Sequence, residues 1–146
     1  MANNFRDKVL AELNKKFGDK VKAVEDISGD TIEVSAGIIV DVMKELRDKF
    51  ELPLLVNLTA TEYESNFIMA YQVTSVKSPD KINVKAVIDK VKPEIASITS
   101  VYPAANVQER EAYDLIGIIF KGHPNLKRIL LPDDWEGHPL RKDYKL

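Results

Sequence analysis

The sequence predicts an α+β domain: a mostly antiparallel sheet with helices packed on one side, ending in an extended C-terminal tail. Three observations carry this. Apolar residues recur every three or four positions in stretches near residues 5–17 and 39–50, the spacing of a helix with one buried stripe, and 104–116 has a helical composition. β-favouring runs follow one another across turns too short for a crossover, so neighbouring strands must run antiparallel. After residue 121 all periodicity is lost among Gly, Pro and charged residues.

In the first helix, residues 4–17, Phe5, Val9, Leu13 and Phe17 fall at i, i+4, i+8 and i+12, and Gly18 stands where a C-cap glycine belongs. Val21–Asp26 and Thr31–Ser35 read as a hairpin turned by Ser28-Gly29-Asp30. The second helix, Ile38–Phe50, buries Ile39, Val42, Met43, Leu46 and Phe50, and Leu52-Pro53 stops it because a residue preceding proline leaves the α region. A meander follows in Leu54–Thr59, Phe67–Val76 and Ile82–Ile88, with Phe67, Met69, Tyr71 and Val73 on one face. Pro93 closes it, and Ser97–Val101 is a short transition. Ala104–Ile116 forms the third helix, capped by Gly117, and Ile118-Ile119-Phe120 is a short buried strand. The chain is one domain, with a body over 1–103 and a helix, strand and tail over 104–146.

Composition narrows the function. A chain of 146 residues, 45% hydrophobic and 30% charged, can bury a sufficient core by itself. A net charge of −2 supplies no basic field for nucleic acid. Residues 121–146 carry six Lys/Arg and four Asp/Glu, a mildly basic tail on an acidic body, suited to docking on an acidic protein surface. With no cysteine there is no disulfide, thiolate nucleophile, thiolate zinc site or Cys-held iron–sulfur cluster. The N-terminus lacks the apolar core of a signal peptide and no apolar run approaches the ~20 residues of a membrane span, so a cytoplasmic, soluble chain is expected.

Candidate chemistry concentrates between Glu109 and Tyr144, which holds the sole tryptophan, both histidines and three of the seven prolines. Gly122-His123-Pro124 and Gly137-His138-Pro139, with Asp133, Asp134 and Glu136 nearby, invite a metal reading, but no His-x-x-x-His occurs and each histidine precedes a proline in a loop. Each is expected instead to bond neighbouring backbone in a rigid turn. Glu109 and Glu111, two residues apart on a helix, point about 200° from one another and cannot share a substrate atom; with Arg110 they read as a charged patch. Arg110 and Asp114, four apart, are spaced to pair. No nucleophile elbow, glycine-rich phosphate cradle or Walker pattern is present. Trp135 belongs to the residue types that carry interface energy, and it either plugs the tail onto the core or meets a partner.

The run Glu109-Arg110-Glu111, Tyr113-Asp114-Leu115-Ile116-Gly117-Ile118, Phe120, Gly122-His123-Pro124, Leu126, Arg128-Ile129-Leu130, followed by Leu131-Pro132-Asp133-Asp134-Trp135-Glu136-Gly137-His138-Pro139-Leu140-Arg141-Lys142-Asp143-Tyr144, closely resembles the signature of the C subunit of NADH-quinone oxidoreductase, the small peripheral-arm component of respiratory complex I. Upstream the order of elements agrees more loosely. The resemblance implies an α+β protein that binds no cofactor and no metal, catalyses nothing itself, and packs against the large redox subunit and its cluster-bearing neighbour beside the quinone site. It implies attachment to the inner face of the cell membrane through the complex alone, with no obligate homo-oligomer. The same module is similar to one found in energy-converting membrane-bound hydrogenases, which is the alternative setting. A free-standing enzyme using His123, His138 and the acids around Trp135 is the rival of another class.

By matching position, the resemblance makes Glu109, Arg110, Glu111, His123, Arg128, Trp135, His138, Arg141 and Asp143 the signature residues, expected to shape a partner interface. Val107 stands where that family often carries tryptophan, and the sequence stops at Leu146, where many relatives continue.

Overall fold

The computed structural model describes residues 4–144. Helix α1 spans Asn4–Phe17 and turns through a 3₁₀ segment, Gly18–Lys20, into strand β1, Val21–Ala23. Gly18 takes φ +65°, which lets the helix stop there at no Cβ cost. β1 pairs antiparallel with β2, Thr31–Val34, as the hairpin expectation requires. The connecting loop is organised by Asp26, whose carboxylate accepts hydrogen bonds from Ser28 Oγ, Gly29 N and Thr31 Oγ1. Helix α2, Ile39–Asp48, then buries Ile39, Val42, Met43 and Leu46.

Strands β3 (Leu54–Glu62), β4 (Asn66–Thr74) and β5 (Lys81–Asp89) form the expected antiparallel meander. Phe67, Met69, Tyr71 and Val73 of β4, and Ile82, Val84, Ala86 and Ile88 of β5, are all buried. Alternation thus sends one face of each strand into the core beneath α1 and α2.

Spatial order in the sheet is β1-β2-β5-β4-β3, and β2 pairs with β5 in parallel. That pairing escapes any reading of adjacent strands, because α2 and the β3–β4 hairpin intervene between the two partners. A second, two-stranded parallel sheet joins β6, Glu94–Ala96, to β7, Ile119–Lys121, on either side of helix α3, Ala105–Ile116. β6 is too short to leave a pattern in the sequence. β7 is less buried than expected: Ile118 and Phe120 are inside, but Ile119 is 41% exposed.

β3 is the outermost strand of the large sheet, and α3 lies along it. The side chain of Gln108 accepts the Leu58 N–H at 2.8 Å, so the helix satisfies part of a strand edge that would otherwise be open. This contact fixes α3, and with it the signature run, against the body.

Candidate functional site

Helix α3 carries two buried acids, and each orders a different stretch of chain. Glu109 and Asp114 are both fully buried. Glu109 faces back toward the approach to its own helix: Oε1 accepts from Ser97 Oγ at 2.6 Å and Oε2 from the Ile98 N–H at 2.9 Å. Burial raises its pKa above the ordinary carboxylate value, against the opposing pull of the Ser97 hydroxyl, the Ile98 N–H and the nearby His123. The Tyr71 hydroxyl is raised as well, by burial and then by Glu109.

The expected charged surface patch at Glu109–Glu111 therefore requires correction. The helical turn that separates these acids sends Glu109 into the core, leaving Glu111 half-buried at the rim of a groove between β3 and α3, beside Leu58, Leu115 and Leu140.

Asp114 faces forward, to the tail. Its Oδ2 accepts three consecutive backbone N–H groups, from Ile129 at 3.1 Å, Leu130 at 2.7 Å and Leu131 at 3.0 Å. Oδ1 takes Arg128 Nη1 at 2.6 Å. Burial works to raise the Asp114 pKa, but Arg128 and the three amides outweigh it and hold the group below the usual carboxylate range. Asp114 is thus not the partner of Arg110. Arg110 instead donates through Nε to the Lys127 carbonyl and through Nη2 to the Arg128 carbonyl, both at 3.1 Å. Helical spacing allows an i,i+4 pair, yet a buried acid meeting three amides and a guanidinium in a fixed nest gains more than an exposed ion pair.

The tail also completes the helix. An α-helix leaves its last four carbonyls without intrahelical partners. Gly117, at φ +89°, returns its N–H to Ala112 and Tyr113 in the left-handed cap expected of it. The other three carbonyls are taken by signature residues: Asp114 O by Arg128 Nη1 and His138 Nδ1, each at 3.0 Å; Leu115 O by the Leu140 N–H at 2.9 Å; Ile116 O by Arg141 Nε. Two guanidinium groups at the negative end of the helix dipole add a favourable charge interaction. Arg128 closes the loop through Nη2, which donates to Gly137 O at 2.7 Å.

Both histidines bond backbone, but of the bonds to neighbouring backbone expected of them only that of His123 to Asn125 is local; the others reach α3, 17 and 24 residues away. His123 Nδ1 accepts the Asn125 N–H at 3.0 Å and its Nε2 donates to Asn106 O at 3.0 Å. His138 must carry its proton on Nδ1 to donate to Asp114 O. The two rings serve opposite ends of α3. Among the described residues no group of three or more His, Cys, Asp or Glu side chains is placed to hold a metal ion.

What remains outward mixes three large apolar side chains with charged ones, among them Lys127, Asp133, Asp134, Glu136 and Lys142. Trp135 is 41% exposed, Leu130 58% and Leu140 61%. Trp135 does not plug the tail into the core; its backbone N–H turns back to Pro132 O at 3.0 Å. Asp143 is exposed. Val107, the position of the missing aromatic, is 48% exposed on α3. The residues that sequence reasoning passed over are Asp114, as the hub of the tail, and Glu62 of β3, whose carboxylate reaches the Lys142 N–H. Strand alternation carried a signal for Glu62: it shares its side of β3 with Leu58, which is inward.

A family model described as the respiratory-chain NADH dehydrogenase, 30 Kd subunit, matches residues 32–146. A relative from Moorella thermoacetica, an NADH-quinone oxidoreductase C subunit, is 44% identical over 142 residues, spanning 96% of this chain and 95% of its own. A protein of the same name from Geotalea uraniireducens is 39% identical over 150 residues, spanning 100% of this chain and 90% of its own. In the structure of the membrane-bound sulfane sulfur reductase, an archaeal respiratory membrane complex, one chain superposes with a TM-score of 0.79 at 23% identity, over 96% of this chain and 85% of that one. A trypsin-resistant fragment of Nqo5 gives a TM-score of 0.58 at 22% identity, over 84% of this chain and 99% of that one. At these identities the two structures share the fold.

Proposed function

The chain belongs to the family of the respiratory-chain NADH dehydrogenase 30 kDa subunit, and from that membership we propose that it is a non-catalytic, cofactor-free accessory component in the peripheral arm of an NADH-quinone oxidoreductase. Its task is to hold the large redox subunit, together with the cluster-bearing subunit, beside the quinone site. It reaches the inner face of the cell membrane through the complex alone; among the described residues no helix is long and apolar enough to cross a bilayer.

One observation carries this reading. Most polar groups of the signature are bonded within the chain: Arg110, His123, Arg128, His138 and Arg141 join the tail to α3, and Glu109 joins α3 to the segment before it. What they leave displayed is Trp135, Leu130 and Leu140 among charged residues, Asp133, Asp134, Glu136, Lys142 and Asp143, with Glu111 half-buried at the groove rim. Large aromatic anchors surrounded by polar residues are what protein interfaces use. Of the residues expected at a partner interface, we therefore assign direct contact to Glu111, Trp135 and Asp143, and assign the other six to shaping the surface from behind.

Co-expression with the large and cluster-bearing subunits tests the proposal. The chain should co-purify with them, and Trp135→Ala should weaken capture by about 30-fold or more, the ~2 kcal/mol cost of a hot-spot truncation, while the chain stays folded. Stoichiometric iron or zinc on the isolated chain, or NADH or quinone turnover by it alone, would overturn the reading.

A further inference from the structure

The far end of the tail is held by a second anchor, outside the signature and 80 residues away in sequence. Glu62, at the last position of β3, is almost entirely buried. Its Oε1 accepts the backbone N–H of Lys142 at 2.6 Å, and its Oε2 pairs with Lys90 Nζ at 2.8 Å. Lys90 also donates to the carbonyl of Tyr63 at 2.7 Å. Phe67, paired across the strands with Glu62, is completely buried, and the Arg141 guanidinium lies 5.2 Å from its ring centroid. The end of β3, the start of β4 and the residue just past β5 thus converge on Arg141 and Lys142. Lys90 first, and then the Lys142 N–H, hold the Glu62 carboxyl below its ordinary pKa, so it is a charged acceptor where it meets the tail.

We infer that Glu62 is a positioning residue that fastens the end of the tail to the β3–β4–β5 corner, so that the docking surface is folded on the body before any partner arrives. The inference rests on the proposal that the tail is that docking surface. The tail is bonded to α3 between residues 123 and 141 and to the corner at 142. With both attachments in place, Leu140 is set between Leu115, whose carbonyl takes its N–H, and the corner. Without Glu62 the described residues beyond Arg141 keep the local turn in which Tyr144 N–H returns to Arg141 O and the Tyr144 ring packed on Gly137, both contacts within the tail itself. Docking then joins two preformed surfaces and avoids the ordering cost that a disordered arm would meet on binding.

Hydrogen exchange on the full chain tests this, read at the amides of Leu140 and Tyr144, with capture by the large subunit measured in parallel. Glu62→Gln removes the charge. Lys142→Pro removes the N–H donor while leaving the Glu62–Lys90 pair intact, and it is compatible with the turn, since Lys142 occupies the position that favours proline. Lys142→Ala keeps the donor. We expect exchange at Leu140 and Tyr144 to rise about 10-fold or more in the first two variants and to stay unchanged in the third, with strand β4 equally protected in all. Capture should weaken about 5-fold or more in the same two variants. Unchanged exchange in both Glu62→Gln and Lys142→Pro would overturn the fastening role, as would an equal rise in Lys142→Ala. A rise in exchange with capture unaltered would sustain the fastening role and defeat the docking role of the tail.

Discussion

Replacing Asp114 by alanine should release the tail. The carboxylate is fully buried, with Arg128 on one oxygen and three successive amides on the other, while the backbone carbonyl of the same residue receives Arg128 and His138. Alanine keeps the carbonyl and deletes both carboxylate oxygens. A hydrogen bond to a charged group contributes about 1.5–3 kcal/mol, and removing one partner of a buried ion pair costs about 3–5 kcal/mol. The Arg128 side chain retains 10% exposure and the three amides can turn to water once the segment lifts, so the loss is capped near the lower bound, about 3 kcal/mol. For a chain of this size that is a fall in Tm of roughly 10 °C. Two assays separate the local from the global effect: thermal unfolding by far-ultraviolet circular dichroism, and exchange at Ile129, Leu130 and Leu131, which should lose protection together. Trp135, the sole tryptophan, reports the same event by a red-shifted emission. Asp133→Ala, at an exposed site with no part in the nest, is the control. If Asp114→Ala costs less than about 0.5 kcal/mol and the three amides stay protected, the nest does not hold the tail.

Acid should act in opposite senses through the two buried acids of α3. Asp114 has a lowered folded pKa, so its contribution is present above its unfolded value of 3.8 and is lost as pH falls through the folded one; exchange at residues 129–131 should rise below about pH 4. Glu109 has a raised folded pKa, so its contribution is complete below the unfolded value of 4.5 and is lost as pH rises through the folded one. Glu109→Gln, which can donate to Ser97 Oγ and accept from Ile98, should therefore cost less than about 1 kcal/mol at neutral pH and abolish that fall in urea titrations run across pH; Glu109→Ala, which leaves a buried amide unpaired, should cost about 3 kcal/mol. Gly117→Ala should displace the tail, because a Cβ there would stand 2.8 Å from both Arg141 Nη2 and His138 Cδ2 at φ +89°; a loss of about 2 kcal/mol or more, with Trp135 emission shifted, is the expected result. Glu51→Gly should do the reverse and raise stability by about 0.5–1 kcal/mol in chemical denaturation, since Glu51 holds φ +55° just after α2, where glycine is free of Cβ strain.

The local architecture was legible because periodicity reports the environment of a segment along its own axis. Phe5, Val9, Leu13 and Phe17 mark α1; the alternation through Phe67–Val73 and Ile82–Ile88 marks two strands; Gly117 ends α3 with the expected left-handed turn. The motif from Glu109 to Tyr144 carried the family. What periodicity cannot report is which distant group a polar side chain meets. Arg110 and Asp114 are correctly spaced to pair, yet Asp114 turns to residues 128–131, because only the folded tail brings three amides and a guanidinium to one oxygen pair. Glu109 lies beside two charged neighbours in sequence and inside the core in space. β2 meets β5 in parallel across an intervening helix and hairpin, and Glu62 meets Lys142 across 80 residues. Sequence by itself determined the three helices, the strands long enough to alternate, and the kinship of the chain, but not β6. The tertiary structure alone decided that Glu109 is turned inward and that most of the signature bonds within the chain, since a buried polar group must find its partners wherever the fold delivers them.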